Sequence, residues 1–398
     1  MDDHEPNTVK DLLVELKDAS ELMVDLAYAA VFFNEDKVAD EVLRLDERSG
    51  DLLRRLRMMA MLAARSPEDA EQMAGVLWIA DAVQRIGAAA SDVARVVAAR
   101  LGIPDTLRQD LRHADEMTAR VRVREDAPSI GRTLRELSLP TETGMWVMAM
   151  RSDMRWDFDP GPDNTVAPND VMLIRGPEEG VTLVRRLAGA PPLPEAPETE
   201  SPVLSELDRA VDILVEMKDL SEAAVGLAYS SILFNDRALA AEVGVLESRA
   251  DQLEDELESW VLRAAPEARD VDELRGLIRL ASASEAICDA ARDMTWYVEH
   301  GESLHPVVQM ALEETEETSA ETIVQPGAQA DGQSLRELRV ETETGMFVLA
   351  IQRGARWVYR PRGTFRLQAG DRLISVGPED GEAELIELTG EQPEPDED

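Results

Sequence analysis

Two pairs of carboxylates stand four residues apart, Glu247 with Asp251 and Glu285 with Asp289, each within a stretch of helical periodicity. Residues at that spacing share a helix face, so each pair sets two like charges side by side, at a cost of a few tenths of a kcal/mol if nothing compensates. Two such helices packed together would present four oxygen-bearing side chains, a set suited to a hard divalent cation or a transition metal. One residue in five is acidic, however, with 81 Asp and Glu in 398 residues. Pairs of this kind therefore also arise on ordinary solvated faces.

No other constellation carries chemistry. The four histidines (His4, His113, His300, His305) have no ligand spacing. Cys288 is the only cysteine, which excludes an intrachain disulfide and a thiolate cluster and makes a small buried residue the plain expectation. There is no phosphate-cradling glycine loop and no nucleophile elbow. The expectation is a protein that is not an enzyme.

The elements that position these residues come in duplicate. Leu13 to Asn34 matches Leu214 to Asn235 at 13 of 22 positions, and Leu134 to Met150 matches Leu335 to Ile351 at 11 of 17. The offset is 201 residues in both blocks, and it also relates Lys17 to Lys218 and Asp170 to Asp371. A period this long is a domain duplication and not a solenoid.

Each copy reads as a helical part, 8–120 and 203–318, followed by a small α/β part, 121–187 and 322–388. A Pro-rich acidic linker, 188–202, separates the copies, and the acidic tail 391–398 is expected to be disordered. The fold class is α+β: a duplicated module of helical-bundle half plus small α/β sandwich, the two helical halves pairing into one bundle. Leu12, Leu16, Ala19, Met23, Leu26 and Ala30 form the apolar stripe of a first helix, and Val38, Val42, Leu45, Leu52 and Leu56 that of a second. Asn34 and Asn235 are expected N-caps of the second helices. Ser66-Pro67 opens a third helix, and a short fourth is expected over 104–120 and 306–318. In the α/β part a short helix (LREL) leads to a strand in which Met145, Val147 and Ala149 alternate. Two more strands and a closing helix after Gly-Pro-Glu complete it.

The net charge is −40. A surface so acidic repels nucleic acid and anionic lipid, so no nucleic-acid partner is expected. Only four lysines occur, Lys10, Lys17, Lys37 and Lys218, a balance that fits a chain adapted to high salt. No apolar run reaches the roughly 20 residues needed to span a bilayer, and the start of the chain lacks a signal-peptide pattern. These readings point to a cytoplasmic protein without direct membrane insertion.

The α/β part resembles the C-terminal regulatory domain of TrkA-type potassium-conductance regulators, on Leu335, Leu338, Gly345, Arg353, Gly370-Asp371 and Gly377. The first copy keeps Leu134, Leu137, Gly144, Asp170 and Gly176, with Asn169 in place of the turn glycine. The helical part is similar to a PhoU-type half-domain, whose family carries Glu-x-x-x-Asp motifs on its second and third helices. The second copy has these as Glu247 with Asp251 and Glu285 with Asp289, whereas the first has Asp46, Gly50, Gln84 and Ala88. The resemblances together imply a regulatory subunit for a membrane potassium channel or transporter, with a homodimer or an intrachain pseudo-dimer of the α/β domains. They also imply a ligand site at Leu338, Arg339, Val340, Gly345 and Arg353, with cyclic di-AMP as one expected ligand, and a metal site in the second copy. Ser138 in place of Arg339, and the acidic Glu142, Glu341 and Glu343 nearby, oppose an anionic ligand. An adaptor in phosphate-transport signalling and a metal-binding scaffold are the alternatives.

Overall fold

A computed structural model describes residues 8–104, 107, 117–153, 155–192, 205–266 and 271–390. In the first copy three long helices come first: α1 (Val9–Phe33), α2 (Asp36–Ala63) and α3 (Pro67–Ala98). They are followed by β1 (Met117–Arg122), α4 (Leu134–Leu137), α5 (Leu139–Thr143), β2 (Trp146–Ser152), β3 (Arg155–Phe158), β4 (Val171–Gly176) and α6 (Glu178–Leu187). The second copy repeats the order. Its long helices are α7 (Glu206–Leu233), α8 (Arg237–Ala264) and α9 (Val271–Met294), and the short α10 (Trp296–His300) and α11 (Val307–Leu312) come next. Then follow β5 (Thr318–Ile323), α12 (Leu335–Leu338), α13 (Val340–Thr344), β6 (Phe347–Arg353), β7 (Arg356–Tyr359), β8 (Arg372–Gly377) and α14 (Glu379–Thr389).

The chain folds as two compact units that each take a half from both copies. One joins Met1–Ala114 to Glu200–Thr315, and the other joins Asp115–Thr199 to Glu316–Asp398. The helical halves therefore pair with each other within one chain, and so do the α/β halves.

In the helical unit the expected stripes are buried, with Leu12, Leu16, Met23, Leu26, Val38, Val42 and Leu56 each almost fully covered. Each such side chain removed from water contributes roughly 1.5–3 kcal/mol. α1 buries a second stripe as well, in which Lys17, Ser20, Val24, Tyr28 and Val31 are covered. A helix buried on two faces is a bundle's central helix. The halves meet chiefly where α3 lies against α9. The start of α3 meets the chain just after α9, since a Cβ on Gly75 would stand 3.2 Å from Tyr297 and Leu304. Beyond the other end of α3, the carbonyl of Gly102 reaches Gly276, early in α9. The two helices are antiparallel, so the α2–α3 turn and the α8–α9 turn lie at opposite ends of the bundle.

Local chemistry sets the helix boundaries. Ser66 caps α3 in a capping box with Asp69, and Pro67 occupies the first turn, as the sequence predicts. Asn34 and Asn235 are not N-caps. Both have positive φ, 48° and 49°, and end α1 and α7 in the left-handed conformation that asparagine tolerates. Asp236 instead accepts from the backbone N–H groups of Ala238 and Leu239 at the start of α8, while Glu35 makes no side-chain cap at α2.

In the α/β unit each copy forms a four-stranded antiparallel sheet, in the orders β1-β4-β2-β3 and β5-β8-β6-β7. The sequence reading has three strands. The one it lacks is the edge strand β1 or β5, whose first residues fall inside the fourth helix expected over 104–120 and 306–318. In the second copy a helix does form over Val307–Leu312 and gives way to β5 at Thr318. In the first, Met117–Arg122 is a strand, and most of 104–116 lies outside the described residues. So do 193–204 of the linker, the tail 391–398, His4 and His113. The alternation expected in β2 is interrupted by a register shift between Val147 and Ala149. Met148, Ala149 and Met150 are all buried there, but only Met150 joins Met145 in the core of the sheet, because an extra residue resets which face each side chain takes.

Candidate functional site

Where the two α/β halves meet, the short helices α5 and α13 face each other across an approximate two-fold axis. Thr133 and Ser334 start the preceding turns with capping boxes to Glu136 and Glu337. Each turn then ends in a left-handed residue, Ser138 or Arg339, that redirects the chain into α5 or α13. Gly144 and Gly345 close these helices at φ +69° and +73°. A Cβ on Gly144 would stand 2.4 Å from the carbonyl oxygen of Glu341, and one on Gly345 would stand 2.6 Å from that of Pro140. Only glycine allows the backbones of the two copies to come this close.

The seam is acidic. Burial pushes the Glu384 carboxyl above its usual range, and Glu142 of one copy with Glu343 of the other pushes it further. Arg339 offsets only part of this charge, since it pairs with its own neighbour Glu343 at 2.6 Å and leaves Glu142 and Glu384. Two further ion pairs cross between the copies, Arg175 with Glu317 and Arg336 with Glu179.

Four of the five residues expected to hold a ligand lie in this seam: Leu338, Arg339, Val340 and Gly345. Leu338 and Val340 are buried in the core of the second sheet, and Gly345 is buried against the Pro140 carbonyl and Pro378, so of the four only Arg339 is open to a ligand. Arg353 is elsewhere, at the far end of β6, about 20 Å along the extended strand from its first residue Phe347. Its guanidinium donates to both oxygens of the buried Asp371, at 2.7 and 2.6 Å, and to the Arg366 carbonyl. In the first copy Ser152 occupies that place and donates to Asp170 at 2.7 Å.

The second candidate is the carboxylate group of the bundle. α8 and α9 bring Glu247, Asp251, Glu285 and Asp289 onto facing surfaces. Burial raises the Glu285 carboxyl to about 7, helped by Asp289, Glu254 and Asp251. Asp289 is raised too, by burial and then by Glu247, Asp251 and Asp293, against the opposing charge of Arg85. Glu247 is engaged by Arg292 at 2.9 Å. Among the described residues no three metal-ligating side chains are already gathered closely enough to hold an ion. The concentration of negative charge is thus present, while closure around a metal would require Glu247 to leave Arg292.

The sequence reading missed a third constellation at the centre of the bundle. Lys17 is buried, pairs with Glu21 at 2.6 Å, and lies over the ring of Tyr229 in the other copy. Lys218 mirrors it, paired with Glu222 at 2.6 Å and lying over Tyr28. The tyrosine hydroxyls reach across the copies, Tyr28 to Ser284 at 2.9 Å and Tyr229 to Ser20 at 3.3 Å. Burial raises both phenols, that of Tyr28 to about 12. Charges are costly to bury unless paired; each lysine is paired within its own helix, and what crosses between the copies is its place over the other copy's tyrosine. Cys288 is buried nearby, as expected, and burial pushes its thiol up.

The TrkA-C domain model matches residues 118–189 and 320–390, and the PhoU domain model matches 13–97 and 214–297. Among solved structures, PhoU from Pseudomonas aeruginosa aligns at 15% identity and a TM-score of 0.40, covering 74% of this chain and 96% of that one. The GsuK RCK domain aligns at 14% identity and a TM-score of 0.18, covering 70% of this chain and 64% of that one. The GsuK channel bound to NAD aligns at 15% and 0.18, and this chain covers 53% of it. No curated protein matches. At these TM-scores the two domain models carry the assignment, and the whole-chain superpositions add nothing to it. No helix among the described residues is long and apolar enough to cross a membrane.

Proposed function

We propose that this chain, a tandem of two PhoU domains alternating with two TrkA-C domains, is a cytoplasmic regulatory subunit of a potassium channel or transporter and not an enzyme. The observation that carries this reading is the seam at Gly144 and Gly345, where two TrkA-C copies pair within one chain. Ligand bound there would change the angle between the paired domains, and the change would pass along the chain to the helical bundle. Such coupling requires the ligand to bind one arrangement more tightly than the other.

The charge at the seam supports a cation or a neutral ligand, since Glu142, Glu343 and Glu384 converge on it. Cyclic di-AMP would have to overcome that field. Arg339, the exposed side chain of the expected set at the seam, is the proposed contact. The carboxylates Glu247, Asp251, Glu285 and Asp289 form the proposed divalent-cation site, confined to the second copy. The PhoU match at 13–97 and 214–297 supports a second reading, an adaptor in phosphate-transport signalling.

Potassium uptake and phosphate uptake in a deletion strain separate these readings. Loss of regulated potassium uptake with unchanged phosphate handling is the expected result, and the reverse pattern would replace the first reading with the second. Thermal-shift titrations with potassium, divalent cations and cyclic di-AMP then identify the ligand through linkage.

A further inference from the structure

At the end of the first sheet away from the seam, one row of residues runs across all four strands. Arg122 on β1 opposes Val171 on β4, Val171 opposes Arg151 on β2, and Arg151 opposes Trp156 on β3. Directly opposed residues share a face of an antiparallel ladder. This face is the one turned away from α6, since Val121, Met150 and Met172 belong to the core on the other side. The α carbons of Arg122 and Arg151 stand two strand spacings apart, about 10 Å, with the buried Val171 between them. Side chains as long as arginine close a gap of that width from both sides.

What this row lacks is an acceptor. Among the described residues Arg122, which is exposed, donates only to the neutral Asn169 Oδ1, at 2.9 Å. Arg151 lies over the Trp156 ring, 5.1 Å from its centre, and has no carboxylate partner. The Trp156 indole N–H is itself buried and meets no acceptor. The carboxylates of this end do not answer these donors. Asp170 is held by Ser152 and the Ala167 N–H, and Asp157, on the opposite face, accepts from Asn164. Glu125, Asp126 and Asp153 lie in exposed turns and form no ion pair with either arginine, while Arg124 and Arg155, exposed at the same end, add positive charge. In a chain of net charge −40, two arginines left without a carboxylate on one face are the exception.

The second copy has the same row without these features. Ile323, Arg372, Gln352 and Trp357 stand there in place of Arg122, Val171, Arg151 and Trp156. Its one arginine, Arg372, donates to both oxygens of Glu321, at 2.6 and 2.7 Å, so that row satisfies itself. Gly370 occupies the turn position at which the first copy has Asn169, the residue that steadies Arg122. Three differences between the copies, at 122, 151 and 169, thus converge on one place. The sheet does not need them, since the second copy builds the same strand order without them.

We propose that this row binds a phosphate group, in the first copy only and separately from the seam. Arg122 and Arg151 take its oxygens from either side, in the forked geometry by which guanidinium groups hold phosphate. Trp156 backs the Arg151 guanidinium, and a phosphate oxygen is the kind of acceptor that these donors lack. The space between the arginines is one residue wide, which suits a single small oxyanion and not an extended acidic segment. The acidic seam selects against such a ligand, so the two sites do not compete for it.

The test is phosphorus NMR of inorganic phosphate with the full chain at constant ionic strength, in which binding broadens the phosphate line. Arg122→Ile and Arg151→Gln give the first copy the residues of the second, which the same sheet accommodates, and circular dichroism with a melting curve establishes that each variant is folded. The wild type is expected to broaden the line saturably, as a single site does. Each variant should weaken binding roughly 10-fold or more, the worth of a charge-assisted hydrogen bond, and Trp357→Phe in the second copy should leave it unchanged. Adenosine monophosphate as a second probe separates the sources of the phosphate. Tighter binding that still depends on Arg122 means that the group arrives on a larger molecule, and equal or weaker binding means the free ion. Absence of saturable binding for both probes overturns the proposal, and so does binding that survives in the double variant.

Discussion

Tyr28 in the first copy places its hydroxyl 2.9 Å from Ser284 Oγ in the second, with Ser221 Oγ at 3.4 Å. The reciprocal residue, Tyr229, reaches Ser20 at 3.3 Å, and the position equivalent to Ser284 in the first copy is Val83. The two-fold relation of the helical halves is therefore kept in shape and broken in hydrogen bonding. Tyr28→Phe should lower the stability of the helical unit by about 1 kcal/mol, the usual net value of a buried hydrogen bond. The serines left behind still donate to Leu280 and Lys218 carbonyls, which keeps the loss from growing. Tyr229→Phe gives up one longer bond and should cost about half as much. Urea denaturation of both variants measures the difference.

The seam between the TrkA-C copies makes a sharper prediction, because the protein contains its own control. Gly345 and Gly354 both have positive φ, +73° and +62°, but a Cβ on Gly354 meets nothing within 4 Å. Gly354→Ala should therefore cost only the left-handed penalty of about 1–2 kcal/mol. Gly345→Ala adds a collision with the Pro140 carbonyl of the other copy and should cost at least about 2 kcal/mol more, with the loss falling on the pairing of the copies. Melting curves that showed equal losses for the two would mean that the seam is looser than its backbone distances imply.

How much of this was legible beforehand follows the physics of each feature. The apolar stripes of α1 and α2, the Ser66 cap and the duplicated α/β module are local patterns, and they stand where the sequence puts them. The edge strand was not read, although Met117, Ala119 and Val121 alternate, because a six-residue period-two pattern was absorbed into an expected helix. Asn34 was misread because asparagine suits both an N-cap and a left-handed helix end, and only the fold of the following turn decides. The paired lysines Lys17 and Lys218 were visible as a repeat in a lysine-poor chain. That each covers the tyrosine of the other copy could not be seen, since a contact some 200 residues apart leaves no local periodicity.

Arg353 and Asp371 offer a test of how the copies diverged. Asp371 is 1% exposed and accepts from both arms of Arg353 and from the Gln368 backbone N–H. Removing one partner of a buried pair is costly, and Asp371→Ala should destabilise the second TrkA-C domain by about 3 kcal/mol. In the first copy Asp170 is held by Ser152 and the Ala167 N–H, bonds of which one is to a neutral hydroxyl, so Asp170→Ala should cost less, about 2 kcal/mol. Arg353→Ser, which reproduces the first copy's arrangement, should cost under about 1.5 kcal/mol. Denaturation monitored at Trp357 and at Trp156 assigns each loss to its domain.

Glu285 predicts a dependence on pH whose sign is opposite to that of an ordinary paired carboxylate. Its folded-state pKa is raised to about 7, first by burial and then by Asp289, Glu254 and Asp251, while the unfolded chain holds it near its usual value of about 4.3. Between those values the folded state binds more protons than the unfolded one, so stability falls as pH rises. The full stability is present below about pH 4.3 and the penalty is complete above about pH 7. Because the side chain is partly exposed, the penalty is on the order of 1 kcal/mol after solvent screening. Glu285→Gln should thus raise the melting temperature at pH 8 and leave it unchanged near pH 4. A divalent cation held by Glu285, Asp289 and Asp251 would relieve the same repulsion. Manganese added at pH 8 should then stabilise the wild type and leave Glu285→Gln unmoved. Equal stabilisation of both would remove these carboxylates from any account of metal binding, whereas an unchanged pH profile in Glu285→Gln would show that the charge is relieved by Arg292 or solvent instead.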